Sequence, residues 1–305
     1  MLLCRGALSS EARQNEPECG VLRAEADLVN VPVSVFDPQN RVVSHLGAGA
    51  FRVFENGVEQ RVEAVGEEDA PASIGFVLDT SGSMGVKIDL ARDAILRFVK
   101  AANPEDEFFL LPFDSHPGAV TGFTSRAEDI ADQLTRMRPA GTTAMLDAIQ
   151  TAFVKMRRAR HARRAVIIVS DGGDNHSRVT KTEVLRLARE AAVQVYALGT
   201  YEPPATRHRT PEEFTGPELL ATITEQSGGR SFPAQRLSDI SDAAIRIGFE
   251  LRSQYVVAYR PGNRTWDGHY RRITIQTAAP GFPQLHAYWR QGYYSPPPAC
   301  ADATS

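Results

Sequence analysis

Four short apolar runs, at residues 74–78, 108–113, 165–169 and 193–198, are separated by longer stretches whose hydrophobic positions recur every three or four residues. Runs of that length suit strands buried on both faces, and their alternation with helical spacing predicts a parallel α/β layer. After the first run, Ile88, Ala91, Ile95, Phe98 and Val99 mark one helix face, which Asn103-Pro104 ends. Met145, Ile149, Ala152, Phe153 and Met156 form a second stripe, read as a packing surface. Thr180-Lys181-Thr182-Glu183 has the Thr-x-x-Glu form of a capping box and predicts a helix that turns Val184, Leu187, Ala188 and Ala191 inward. Pro112 lacks the N–H a central strand uses, so a bulge or strand end is expected there.

On either side the period changes to two. Val29, Val31, Val33 and Val35 alternate, and Asn56-Gly57 sits between residues 51–54 and 58–65 as a hairpin turn would. Further strands are expected at 254–259, at 270–277 with Ile273 and Ile275 alternating, and at 285–289, with Pro261-Gly262-Asn263 as a turn. Neither flank has strands enough for its own core, so both are expected to join in one small β-sandwich into which the α/β unit is inserted. The division is 1–22 leader or disordered segment, 23–69 first part of the sandwich, 70–250 α/β domain, 251–295 second part, and 296–305 disordered tail.

Chemistry concentrates where the first run ends. Residues 74–83 read Ile-Gly-Phe-Val-Leu-Asp-Thr-Ser-Gly-Ser, which brings Asp79, Ser81 and Ser83 into one turn. A carboxylate and two hydroxyls suit a hard divalent cation, Mg²⁺ first and Mn²⁺ or Ca²⁺ as alternatives. Hydroxyls neutralise such an ion poorly, so an open coordination position would attract an incoming carboxylate. In open α/β sheets the binding crevice lies at the carboxyl ends of the strands, where Asp79 and Asp171 both emerge. Asp, Ser and Thr at strand-to-helix turns also serve local hydrogen bonding, the blander reading of the same residues.

Asp-x-Ser-x-Ser after a buried strand, with Gly141-Thr142-Thr143 opening a helix and Val166-Ile167-Ile168-Val169-Ser170-Asp171-Gly172 downstream, resembles the metal-ion-dependent adhesion site (MIDAS) of von Willebrand factor A-type domains. The resemblance implies a doubly wound, mostly parallel, Rossmann-like sheet with helices on both faces. It also implies that Ser81, Ser83 and Thr143 touch the metal while Asp79 and Asp171 hold its waters or bind directly. Thr142 offers the same hydroxyl one position away. Asp174 is a candidate rim acid or a solvated loop acid, and the latter is the reading taken. Val29-Asn30-Val31-Pro32-Val33, Phe51 through Gly57, Ser253-Gln254-Tyr255, Gly268 through Ile273 and Gln291-Gly292-Tyr293-Tyr294 resemble segments of a bacterial family of such proteins, over residues 23–296. That likeness implies an exported protein, although Met1-Leu2-Leu3-Cys4-Arg5 is too soon interrupted by charge for a signal core.

Composition narrows the choice. With 305 residues, 42% hydrophobic and 23% charged, the chain can bury one large core and a smaller one. A net charge of −3 gives no global positive field for nucleic acid or an anionic membrane, and no stretch reaches the length that spans a bilayer. Arg157, Arg158, Arg160, Arg163 and Arg164 are read as the basic end of a helix. Cys4, Cys19 and Cys300 are too few for a disulfide framework; a bridge from Cys19 to Cys300 and free thiols both remain open. Gly47-Ala48-Gly49-Ala50 lacks the last glycine of a dinucleotide loop and is read as a turn. A hydrolase using Asp79 and Ser81 is the rival class, but no second Asp-Thr-Gly turn, Gly-x-Ser-x-Gly elbow or His-x-x-x-His pair supports it. His176 is the histidine nearest the metal motif and is read as a solvated loop residue. The stretch 200–217 is the candidate for partner specificity. The expectation is a non-enzymatic module binding a protein ligand through an Asp or Glu carboxylate. A structural module with an empty metal site is the further alternative.

Overall fold

The computed structural model describes residues 28–67, 69–85, 87–200, 211–234 and 237–296. The three cysteines, and residues 201–210 of the expected specificity loop, lie outside them. In chain order the elements are β1 (Val29–Phe36), β2 (Phe51–Glu55), β3 (Val58–Gln60), β4 (Val62–Glu67), β5 (Ala72–Asp79), α1 (Ile88–Ala101), β6 (Glu107–Phe113), α2 (Ala127–Arg136) and α3 (Met145–Met156). There follow β7 (Arg163–Ser170), α4 (Lys181–Glu190), β8 (Gln194–Thr200), α5 (Pro211–Ser227), β9 (Ser231–Ala234), α6 (Leu237–Arg252), β10 (Tyr255–Tyr259), β11 (Tyr270–Thr277), β12 (His286–Trp289) and β13 (Gly292–Tyr294).

A parallel sheet of order β6-β5-β7-β8-β9 forms the centre. Because side chains alternate across a strand, Ile74, Phe76 and Leu78 pack under α1, α2 and α6, while Val77, Val166 and Ile168 pack under α3, α4 and α5. The first strand of the sheet lies between the second and the third, so the chain winds outward from β5 in both directions. The point where it reverses is where such sheets open a crevice.

Thr180 caps α4 as the sequence predicts: its hydroxyl accepts from the Glu183 amide, and the Glu183 carboxylate accepts from the Thr180 amide. Pro112 stands next to the strand end expected there and causes no bulge: the register with β5 runs through it to Phe113, the last residue of the strand. β6 is an edge strand, and the Pro112 carbonyl faces outward to accept from Gly118 N at 2.8 Å. Arg163 and Arg164 begin β7 instead of ending a helix. Their guanidinium groups donate to the carbonyls of Ala70 and His161, whereas Arg157 is the C-cap of α3, the basic helix end expected there. Residues 211–217 open α5 and are not loop.

Both flanks build one sandwich. Its sheets have the orders β12-β1-β10-β4 and β13-β11-β2-β3, so strands from before and after the insertion are neighbours within each layer. Val31, Val33, Val35, Val53, Tyr255, Val257, Ile273 and Ile275 fill the space between them. Asn56 and Gly57 have φ of 50° and 84°, the positive pair that a two-residue hairpin demands. A buried ion pair borders this core between adjacent strands of one sheet: Arg271 Nη1 lies 3.3 Å from Glu55 Oε1, and the hydroxyls of Tyr259, from the facing sheet, and Tyr293 donate to Glu55 Oε2. Residues 48–50 form a single 3₁₀ turn, in agreement with the turn expected there.

Candidate metal centre

β5 and β7 end side by side at the reversal point, and the loops that follow them carry Asp79 and Asp171 to one edge of the sheet. Asp79 is fully buried and Ser81 nearly so, whereas Ser83 is exposed. The turn is closed by the Ser81 amide, which donates to Asp79 Oδ1 at 2.9 Å, and it brings the hydroxyls of Ser81 and Ser83 to 3.1 Å from each other. A single 3₁₀ turn, Gly82–Met84, then hands the chain toward α1.

The segment before α3 is laced to this turn. Ala140 N donates to Thr80 O, and Gly82 N donates to Gly141 O. Thr143 is buried, and its amide and carbonyl are both taken up by the loop after β7, through Asn175 Oδ1 and the amides of Asn175 and His176. Thr142 instead faces solvent, and its amide donates to Ser115 Oγ. Gly172 has φ +86°, and a Cβ there would stand 2.8 Å from the Gly216 carbonyl carbon, so only glycine lets the loop after β7 lie against the start of α5.

Burial raises the Asp79 carboxyl to about 6, and the nearby Asp171 charge adds to that; hydrogen bonds from Ser170 and Ser81 oppose it. No cationic side chain touches Asp79 among the described residues, so a buried anion is held by neutral donors alone. No group of three or more His, Cys, Asp or Glu side chains fit to hold a metal occurs among the described residues, so any cation here needs hydroxyl ligands. Two carboxylates with serine and threonine hydroxyls form an all-oxygen set that suits a small hard ion.

Two contributors escape a reading of the sequence by motif. Ser170, the polar end of an apolar run, donates to Asp79 Oδ2 at 2.6 Å and accepts from Gly172 N at 3.0 Å, joining the two acid-bearing loops. Lys87, buried at the N-cap of α1, places Nζ 3.8 Å from Asp171 Oδ2. A cation at a helix N-terminus opposes the helix dipole, which is the signal that could have singled it out. Asp174 is no solvated acid: half-buried, it accepts from the Leu146 amide in the first turn of α3 and from Ser177 N, satisfying one donor that a helix start leaves open. His176 is exposed, as expected for a loop residue.

Residues 74–173 match the family model of the von Willebrand factor type A domain, and the inserted α/β unit is such a domain. The curated relative inter-alpha-trypsin inhibitor heavy chain 4 of Mus musculus is 26% identical over 136 residues, 40% of this chain but only 14% of that protein. Among solved structures, von Willebrand factor type A from Catenulispora acidiphila is similar with a TM-score of 0.51 at 14% identity, over 90% of this chain and 64% of that one. Proximal thread matrix protein 1 from the mussel byssus, whose structure has a zinc-occupied MIDAS motif, is similar with a TM-score of 0.50 at 18% identity, over 65% of this chain and 50% of its own. At these identities the likeness is one of fold. No helix among the described residues is long and apolar enough to cross a membrane.

Proposed function

We propose that this von Willebrand factor type A domain is a metal-ion-dependent protein-binding module. In this reading Asp79, Ser81, Ser83, Thr143 and Asp171 hold a divalent cation, and an Asp or Glu of the partner completes its coordination. The observation that carries the reading is Asp79, a carboxylate buried with no cationic contact among the described residues, beside two convergent hydroxyls. Thr143 is preferred to Thr142 as the threonine ligand because it is buried against the loop after β7, while Thr142 is exposed and its amide is held by Ser115. Lys87 supports the same reading, since it offsets the Asp171 charge, so that a divalent ion held there keeps a net positive charge for a partner acid to meet.

A binding role is favoured over hydrolysis because the neighbour of Ser81 Oγ is another hydroxyl, Ser83, in place of the base a nucleophile needs. The zinc-holding MIDAS motif of the mussel protein lends support to a divalent ion, with Mg²⁺ or Mn²⁺ inferred here from the oxygen donors. Calorimetric titration of the chelator-treated protein with MnCl₂ and MgCl₂ tests the centre. One-site binding to wild type that Asp79→Ala and Ser81→Ala abolish is the expected result. Equal heats from wild type and both variants would refute it.

A further inference from the structure

Among the described residues, two crevices adjoin the metal centre, one on each face of the sheet, with the Asp114–His116 turn as the ridge between them. The first, about 300 Å³, runs from Thr80, inside the Asp79–Ser83 turn, to Arg136 and Arg138. The second, about 350 Å³, lies between Ser115, Asp147, His176 and Arg178, on the side of Thr143. His176 and Thr143 share a backbone hydrogen bond, and Ser115 holds the Thr142 amide, so this crevice is contiguous with the proposed ligands.

The charges that line them are unequally engaged. Asp147 Oδ1 is occupied by the amides of Arg178 and Val179, and Asp114 Oδ1 faces the amide and ring of His116. The guanidinium groups of Arg136 and Arg178 are exposed and make no hydrogen bond or ion pair among the described residues. Arg138 reaches only the carbonyls of Thr135 and Met137, which leave its charge uncancelled. An open arginine with free donors therefore stands in each crevice, and arginine's planar fork is the group best matched to a carboxylate.

We propose that the partner presents an acidic segment, whose central carboxylate meets the cation and whose flanking carboxylates on either side pair with Arg136 and Arg178. This rests on the metal-dependent reading above and specifies its partner. Charge of this kind at a rim selects among partners and speeds encounter more than it adds affinity, so complex formation should weaken as salt rises. A lone acid in neutral surroundings would use the metal and leave both arginines solvated.

The test uses the full chain and short synthetic peptides of Gly and Ser. One carries a single central Asp, one has Asp at the centre and Glu on both sides, and one has Lys on both sides. Surface plasmon resonance in Mg²⁺ is expected to rank them Glu-flanked, single Asp, Lys-flanked. Arg136→Glu and Arg178→Glu should each weaken the Glu-flanked peptide by about two- to fivefold, the worth of one exposed ion pair. Both variants should bind MnCl₂ like wild type, which separates loss of the rim from loss of the centre. Equal affinity for all three peptides in Mg²⁺ would overturn the acidic-segment inference and leave the metal reading standing. Binding of the Glu-flanked peptide that survives chelator, or dextran sulfate bound in its place, would overturn both.

Discussion

Asp79 makes a prediction that runs against the usual expectation for a residue at a functional centre: in chelator at pH 8, Asp79→Asn should be more stable than wild type. The folded carboxyl keeps its proton to about pH 6, the unfolded one to 3.8. Between those values the native state binds more protons, so stability from this group is full below 3.8, falls as pH rises, and stays at its lower level above 6. That interval corresponds to about 3 kcal/mol. Asparagine removes the charge and still accepts from the Ser81 amide, but it deprives the Ser170 hydroxyl of its carboxylate acceptor, a loss of about 1–2 kcal/mol. The net gain is about 1–2 kcal/mol, a few degrees in the melting temperature of a chain this size. Calorimetric melts in chelator should show the variant ahead at pH 8 and level with wild type or behind it near pH 4. Saturating Mg²⁺ should reverse the order at pH 8, since only wild type retains the ligand that couples binding to folding. An Asp79→Asn protein less stable than wild type in chelator at pH 8 would refute the claim that burial holds this carboxylate at a cost.

Three further perturbations test the frame around the site. Arg271→Ala leaves Glu55 buried without its cation and should cost about 3–5 kcal/mol in a urea titration; a loss under 1 kcal/mol would show that the two tyrosine hydroxyls suffice. Gly172→Ala forces a side chain into φ +86° against the Gly216 backbone, so about 1–3 kcal/mol of stability and a measurable share of Mn²⁺ affinity should be lost; unchanged Mn²⁺ heats would separate this turn from the centre. Thr180→Ala should remove about 1 kcal/mol with the capping box, read as faster amide exchange in the first turn of α4.

The first strands of the central sheet were legible because they are apolar on both faces, and the helices at 88–101 and 145–156 because their stripes are uninterrupted. α2 has only Ile130 and Leu134 buried, too few positions for a stripe to stand out. β9 is four residues long and contains Pro233, and a short edge strand with a proline carries little pattern of its own. α5 was hidden by Gly216 and Pro217, which read as loop residues; Gly216 is there to meet Gly172, a contact between segments far apart in the chain. The metal motif was legible as chemistry, since Asp79, Ser81 and Ser83 are adjacent. The arginines of the two crevices were not, because Arg136 follows a different strand from Arg178 and only the fold sets both beside the Asp114–His116 ridge.

The sandwich explains how that ridge stays open. Tyr255, the first residue of β10, pairs with Glu67, the last of β4, so the inserted domain leaves and rejoins the sandwich at adjacent points of one antiparallel pair. With strands of both flanks alternating in β12-β1-β10-β4, the sandwich cannot close until the domain's two ends have been brought together. The seam forms at the amino-terminal ends of the central strands. Gln254 donates to Gln194, at the start of β8, and to Ser34 of β1, while Gly228 lies against the backbone of Trp289 and Arg290. Arg230 fixes it further, its guanidinium 4.3 Å from the Phe36 ring and 4.6 Å from that of Tyr288, and paired with buried Glu250. Asp79 and Asp171 emerge at the opposite ends of those strands. A contact surface built at one end of a parallel sheet therefore directs the other end to solvent, with the two open arginines flanking the acids.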